Sequence, residues 1–388
     1  MSTSTEGAGE LKRRAVAAVD ACAGDISALS RRIYEHPELS GEEHKARAWC
    51  AELLAEHGYR VDDVEGVETA FVATLPGDPS GLTIGLLAEY DALPGVGHAC
   101  GHHLIAGSAV GAGLALAACR DSLPGTIKVF GCPAEEIGAG KAAMLEAGAF
   151  AGTDAALTFH ANDVTSIMVT SSAIHELLLE FRGTASHAAT APWDGASALD
   201  GVLLTYQNVN ALRQFVRDGV RIHGIVTHGG DAFNVVPERA SCRLAVRSSD
   251  RTELERIVGR VIDCARAAAL ATATTVEIET GMLVESVRYD DALARVVRGN
   301  LGEENGQVET WHLLGSTDFG NVSNVIPAVL FSIATWPCGT AFHTHEAAAH
   351  AGEETAFAAM LEAARTMAAS AVDVLLDPGI VGSTRQAA

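Results

Sequence analysis

The chain has 388 residues, 48% of them hydrophobic, and carries 27 basic against 49 acidic residues, a formal charge of −22. That length exceeds the roughly 250–300 residues at which single cores stop growing, so two domains are expected. The acid excess excludes a broad nucleic-acid surface, which needs clustered Lys and Arg, and leaves any anionic substrate to be received by a locally positive pocket.

Residues 1–10 are small and polar, with no apolar run after a basic start, which argues against a secretory signal and makes a cytoplasmic location the default expectation. From 11 to 58 the apolar positions recur at helical spacing, interrupted at His36-Pro37, where the proline separates two helices. The period then changes. Segments 69–75, 83–88, 126–131 and 155–159 read as strands, with helices at 104–120 and 141–147. The apolar stretch 104–119 falls short of the roughly 20 residues of a membrane span and reads as a buried core helix, so no membrane partner is expected. Strands alternating with helices predict an α/β fold with a mostly parallel sheet flanked by helices. Cys100, Glu136 and His160 all fall just past predicted strand ends, where open α/β sheets place their sites.

Near residue 171 the character shifts. Strands at 174–182, 224–229, 240–248 and 274–279, with helices at 195–216 and 252–270, follow the β-α-β-β-α-β order of a split-βαβ, ferredoxin-like domain. Beyond 287 come helix, strand (328–333) and a long helix (352–376). The economical organisation is a first domain built from 1–171 and 287–388, interrupted by a second at 172–286. The tail 378–388 reads as disordered. Eight cysteines, at 22, 50, 100, 119, 132, 242, 264 and 338, form no CxxC pair and suit a reducing compartment.

The chemistry concentrates in a few segments. The string EYDALPGVGHACGHH at 89–103 sets Cys100 and His102 at a predicted helix entrance, where the helix N-terminus should favour a thiolate. A lone cysteine is ordinarily structural; flanked by His98, His102 and His103, a metal role is the stronger reading. His98 and His103 read as supports rather than ligands. Glu135 and Glu136 follow an apolar strand, and neighbours on an extended backbone point in opposite directions, so one can ligate metal while the other handles a proton. Asp91 is placed to orient a ligand imidazole. His160 would be a core histidine in isolation and becomes a ligand candidate in this company. Of His343 and His345 we favour His343, with His345 as the alternative.

Five ordered strings, EYDALPGVGHACGHH (89–103), PAEEIGAGKAAMLEAGA (133–149), GTASHAATAPWDGASALD (183–200), FNVVPERASCRLAVRS (233–248) and GSTDFGNVSNVIP (315–327), resemble the dinuclear-metal aminoacylase and carboxypeptidase family. The likeness is to its amidohydrolase branch, with p-aminobenzoyl-glutamate hydrolases and related dipeptidases, and spans residues 25–370. It implies a zinc-peptidase-like catalytic domain interrupted by a lid that also forms a homodimer. By motif position, Cys100, His102, Glu136, His160 and His343 would hold two divalent ions. Cys100 would bridge them; zinc is the first expectation, with manganese, cobalt or nickel also compatible. Glu135 would be the general base and His187 would polarise the scissile carbonyl of a neighbouring subunit's substrate. Asn234 and Arg247 would bind the substrate carboxylate, Arg247 through a forked contact. The implied substrate is a small N-acyl amino acid or a dipeptide; a non-catalytic metal- or peptide-binding relative is the alternative from another class. This chain departs from the pattern at His103, where relatives carry Asp or Asn, and in lacking an aromatic after Glu346.

Overall fold

In the computed structural model of the protein, which describes residues 2–302 and 307–381, the chain divides into two compact units. Unit 1 comprises Met1–Thr170, Val287–Leu313 and Thr317–Ala388; unit 2 comprises Ser171–Ser286 and Leu314–Ser316.

Along the chain the strands are β1 (Arg60–Val64), β2 (Val67–Leu75), β3 (Thr83–Glu89), β4 (Thr126–Cys132), β5 (Ala155–Asn162), β6 (Ser166–Thr170), β7 (Ala173–Arg182), β8 (Arg221–His228), β9 (Arg239–Ser248), β10 (Thr275–Val284), β11 (Glu309–His312) and β12 (Ala328–Ala334). The helices are α1 (Ser2–Ala21), α2 (Ala23–Glu35), α3 (His44–Glu56), α4 (His102–Ala117), α5 (Gly140–Glu146), α6 (Ala198–Leu212), α7 (Arg251–Ala271), α8 (Asp291–Asn300), α9 (Phe319–Ser323), α10 (His345–Ala351) and α11 (Glu354–Leu376).

In unit 1 the sheet order is β1-β2-β4-β3-β5-β12-β6-β11. The central pairs β4-β3, β3-β5 and β5-β12 are parallel, as is β6-β11, while β1-β2, β2-β4 and β12-β6 are antiparallel. The mostly parallel sheet expected from the alternating pattern is present. Its central strands are apolar on both faces because both are covered. Leu86, Leu157, Phe159 and Phe331 join a core with α4 and α11, whereas Leu87, Phe130, Ala156 and Leu330 join a second core with Met144 and Phe319.

Helix α4 is buried along its whole length, as its continuous apolar sequence requires. Ile26 of α2 packs so closely that a Cβ on Gly111 would lie 2.7 Å from it. Among the described residues no helix is long and apolar enough to cross a membrane. The long N-terminal helical pattern is divided not only at Pro37 but also at Cys22. Strands β1, β6 and β11 are additions to the elements expected from the local pattern. The tail is also corrected in part: Val381 is buried in the core, while 382–388 lie outside the described residues.

Unit 2 is the split-βαβ arrangement, β7-α6-β8-β9-α7-β10, with an antiparallel sheet ordered β10-β7-β9-β8. Leu177, Leu179 and Phe181 of β7 alternate inward against Cys242, Leu244 and Val246 of β9 and the apolar faces of α6 and α7. Ser197 Oγ accepts from Asp200 N at 3.1 Å and Asp250 Oδ1 from Glu253 N at 3.0 Å, capping α6 and α7 at their N-termini.

Candidate metal centre

In unit 1 the carboxyl ends of β3, β4 and β5 lie side by side, with Glu89 opposite Cys132 in the parallel ladder. Three chain segments therefore open onto one place: 89–102 after β3, 133–141 after β4, and the end of β5. At its centre is the His102 imidazole, 1% exposed. Its Nδ1 is 2.9 Å from Asp91 Oδ1, which directs Nε2 toward the carboxylates. From Nε2, Glu89 Oε2 is at 3.7 Å, Glu135 Oε2 at 3.8 Å and Glu136 Oε1 at 3.8 Å. Donor atoms of Cys100, His102 and Glu136 lie within 4.8 Å of one another, and so do those of Glu89, His102 and His160. His343 Nε2 stands 3.4 Å from Glu136 Oε2.

The surroundings fix these groups. Asp91 Oδ2 accepts from Ser40 Oγ at 2.7 Å and from Glu136 N at 3.0 Å, so one carboxylate orients both an imidazole and the acidic turn. His160 Nδ1 lies 2.7 Å from Ala161 O, which leaves Nε2 for the centre. Beside His160, Phe342 stacks on Trp311 at an interplanar angle of 9°, forming an aromatic wall that no sequence motif announces. His98 and His103 are buried against Tyr34 and reach the carbonyls of Ile33 and Ala351, tying α4 to its neighbours as supports.

Lys141, fully buried, is a residue of the site that the sequence-based expectations omit. Its Nζ is 2.8 Å from Glu89 Oε1 and also pairs with Asp318 Oδ1, while its backbone N donates to Asp318 Oδ2 at 2.8 Å. A lysine amid the small apolar residues of α5 signals burial and hence a needed counter-charge, yet nothing in the linear sequence names an acid 177 positions away.

Three expectations are corrected. His160 does not follow its strand; it lies inside β5, because pairing with β12 (Ser332 to His160, Ala334 to Asn162) carries the ladder further. Glu135 and Glu136 do not point apart. They occupy a turn after Ala134, whose φ is +54°, and both carboxylates converge on His102. The Cys100 thiol is not acidified: burial pushes its pKa up, more than the neighbouring His102 lowers it. A cation beside Sγ would reverse that, since a coordinating thiol is deprotonated outright.

Electrostatically the centre is anionic. Glu89, Asp91, Glu135, Glu136 and Asp318 are five carboxylates with side chains at most 10% exposed, against the ammonium of Lys141. Burial, with the charges of Glu89 and Asp318, raises the Glu135 carboxyl well above its usual range. His102 Nε2 and Glu89 Oε2 are buried without hydrogen-bond partners, a costly state unless something else occupies the space between them. Divalent cations suit both the orphaned atoms and the cluster of buried carboxylates, and thiolate, imidazole and carboxylate are the donors such ions take.

Two backbones here adopt the left-handed region without being glycine. Ala134 is held by its N–H to Glu43 Oε1 at 2.8 Å, and His343 has φ +63°. Such conformations concentrate at functional sites. Gly101, with φ +74°, separates Cys100 from His102, and a Cβ there would lie 2.7 Å from Ala161 Cβ. Gly101→Ala is expected to lower the unfolding free energy by about 2–4 kcal/mol and to weaken metal uptake by displacing both donors. Wild-type stability in chemical denaturation would remove that constraint.

The predicted residues of unit 2 are placed as follows. His187 is exposed, its Nδ1 accepting from Ala189 N at 3.2 Å and Thr190 N at 3.3 Å. Asn234 is its neighbour, through Ala188 N to Asn234 O at 3.0 Å. Arg247 is half-buried and donates to His223 Nε2 at 3.1 Å and Ser316 Oγ at 2.8 Å.

An α/β sheet that gathers thiol, imidazole and carboxylate groups toward the carboxyl ends of its strands has the donor set of a metalloenzyme. The sequence profile of peptidase family M20/M25/M40 matches residues 85–371, and the chain belongs to this family of metal-dependent amide-bond hydrolases. Among curated relatives, the Xaa-Arg dipeptidase of Mus musculus is 35% identical, the alignment covering 97% of this chain and 91% of the relative. A subunit of the p-aminobenzoyl-glutamate hydrolase of Escherichia coli (strain K12) is 30% identical, over 92% and 90%. Among solved structures, a dinuclear metal binding peptidase of the family from Bacillus subtilis matches with a TM-score of 0.69 at 22% identity, over 92% of this chain and 99% of that one. An aminobenzoyl-glutamate utilization protein from Klebsiella pneumoniae matches with 0.74 at 19%, over 92% and 97%. At these identities the two structures speak to the fold.

Proposed function

We propose that the protein hydrolyses the amide bond of a small N-acyl amino acid or dipeptide bearing a free carboxylate, with Cys100, His102, Glu136, His160 and His343 as the residues that would hold two divalent ions. The observation that carries this reading is the convergence of buried acidic, imidazole and thiol groups around His102 Nε2, in two candidate donor trios that share this imidazole. Zinc is the expected metal on the donor chemistry. When bound, the ions supply Lewis acidity, lowering a water's pKa and polarising the carbonyl.

The residues do the rest. Glu135 takes a proton from the attacking water and returns it to the nitrogen of the breaking C–N bond, so that acid and amine leave with atoms balanced. Asp91 keeps the His102 imidazole in orientation. His187 is assigned to the carbonyl oxygen and Asn234 with Arg247 to the carboxylate, where a guanidinium can make two parallel hydrogen bonds. Unit 2 serves as lid and dimerisation domain in this reading. Ile225 and Val226, 62% and 45% exposed on edge strand β8, support it, because bare apolar edges ordinarily find a partner. Eight free cysteines support a reducing, cytoplasmic setting.

A dipeptide is the favoured variant within the class, supported by the dipeptidase activity for which the mouse relative is named. The test is a panel of N-acetyl amino acids, p-aminobenzoyl-glutamate and dipeptides ending in arginine or neutral residues, assayed before and after chelation, with metal content measured in parallel. Cleavage that chelation abolishes and added zinc or manganese restores is expected. Stoichiometric metal with no cleavage across the panel would instead point to a binding protein.

A further inference from the structure

Glu89 and Asp318 are the acids at the centre that the proposed ligand set leaves without a task, and the two oxygens of Glu89 are treated differently by the fold. Oε1 is held by Lys141 Nζ at 2.8 Å. Lys141 is in turn fixed by both oxygens of Asp318, all three side chains being at most 2% exposed. Oε2 has no hydrogen-bond partner, is buried, and stands 3.7 Å from His102 Nε2, itself buried without a partner. A gap of 3.7 Å is too long for a hydrogen bond. It is near the roughly 3.4 Å expected between two donors that share one tetrahedral ion at bond lengths of about 2.1 Å. With His160, these atoms form a compact trio within 4.8 Å.

We infer that Glu89 Oε2 is a sixth protein ligand of the metal centre, and that Lys141 and Asp318 are positioning residues that lock the carboxylate so that one oxygen alone faces the ion. The inference rests on the dinuclear reading above and extends it. His102 Nε2 can bind only one ion, so the two trios of donors cannot both keep it. Glu89 is the carboxylate of the trio with His160, as Glu136 is of the trio with Cys100. A carboxylate serving only as counter-ion to Lys141 has no need to leave its second oxygen unpaired against an imidazole nitrogen.

The test is metal binding, not turnover. Metal-free wild-type protein and Glu89→Gln, each checked for folding by thermal denaturation, are titrated calorimetrically with zinc and with cobalt(II). The wild type is expected to take two ions. Glu89→Gln should keep one with unchanged affinity and bind the other at least about 100-fold more weakly, because loss of even an outer-shell partner costs 10–100-fold. Two ions bound by the variant at wild-type affinity would overturn the inference. A wild type that takes fewer than two would instead overturn the dinuclear reading. Should Glu89→Gln not fold, the crystal structure of zinc-loaded wild type decides: Oε2 within about 2.2 Å of an ion supports the assignment, and an oxygen beyond hydrogen-bonding range rejects it.

Discussion

Glu135→Gln is expected to lower kcat by about 10²–10⁴-fold while leaving both metal ions bound and the melting temperature near that of the wild type. Glutamine keeps the shape of the side chain but can neither accept the proton of the attacking water nor deliver it to the departing amine. Metal content is the essential companion measurement, because Glu135 and Glu136 present oxygens at the same 3.8 Å from His102 Nε2. Glu136 also has His343 Nε2 at 3.4 Å, and its backbone N donates to Asp91, which places its carboxylate among the candidate ligands. Glu136→Gln should therefore lose metal as well as activity. If Glu135→Gln lost an ion and Glu136→Gln did not, the two roles would have to be exchanged. If Glu135→Gln kept turnover within about 3-fold of the wild type, no general base would remain at this position.

The pattern of these groups explains how much of the molecule is legible in its linear sequence. Continuous apolar runs at β3, β4 and β5 declare buried parallel strands, and donor chemistry singles out Cys100, His102, Glu136 and His160, whose donor atoms the fold gathers into two trios around His102, because both are carried by local composition. The short strand β1, with the sequence RVDDV, has no such run; it exists because β2 offers it a partner. His160 is expected beyond its strand and lies within it because the end of β5 is determined by β12, more than 160 residues later. Extended-backbone geometry gives the acidic pair opposed directions, and the left-handed Ala134, held by Glu43 from the loop before α3, converts that stretch into a turn that gathers them. The place of Cys100 before a helix predicts an acidic thiol; burial outweighs that effect. The end of β5 and the turn of the acidic pair depend on partners far along the chain, and the Cys100 thiol depends on its burial, none of which local composition carries.

The most consequential of those partners is Lys141, and Lys141→Met is expected to cost about 3–5 kcal/mol of stability, a fall of about 5–15 °C in melting temperature. Methionine fills much of the same volume, so the loss is not a cavity effect. It is the uncompensated burial of Glu89 and Asp318, which lose the ammonium between them. Burial already holds the Asp318 carboxyl up at about 6 even with Lys141 beside it. The contrasting control is the Arg295–Asp291 pair on α8, whose side chains are 68% and 63% exposed. Arg295→Ala should cost less than about 0.5 kcal/mol, since solvent screens such pairs. Combining Lys141→Met with Asp318→Asn should recover part of the loss by removing one orphaned charge, the non-additivity that a double-mutant cycle detects. A Lys141→Met protein within about 1 kcal/mol of the wild type would mean that its carboxylates take up protons or find other donors, and the ammonium would no longer be what holds Glu89 in place.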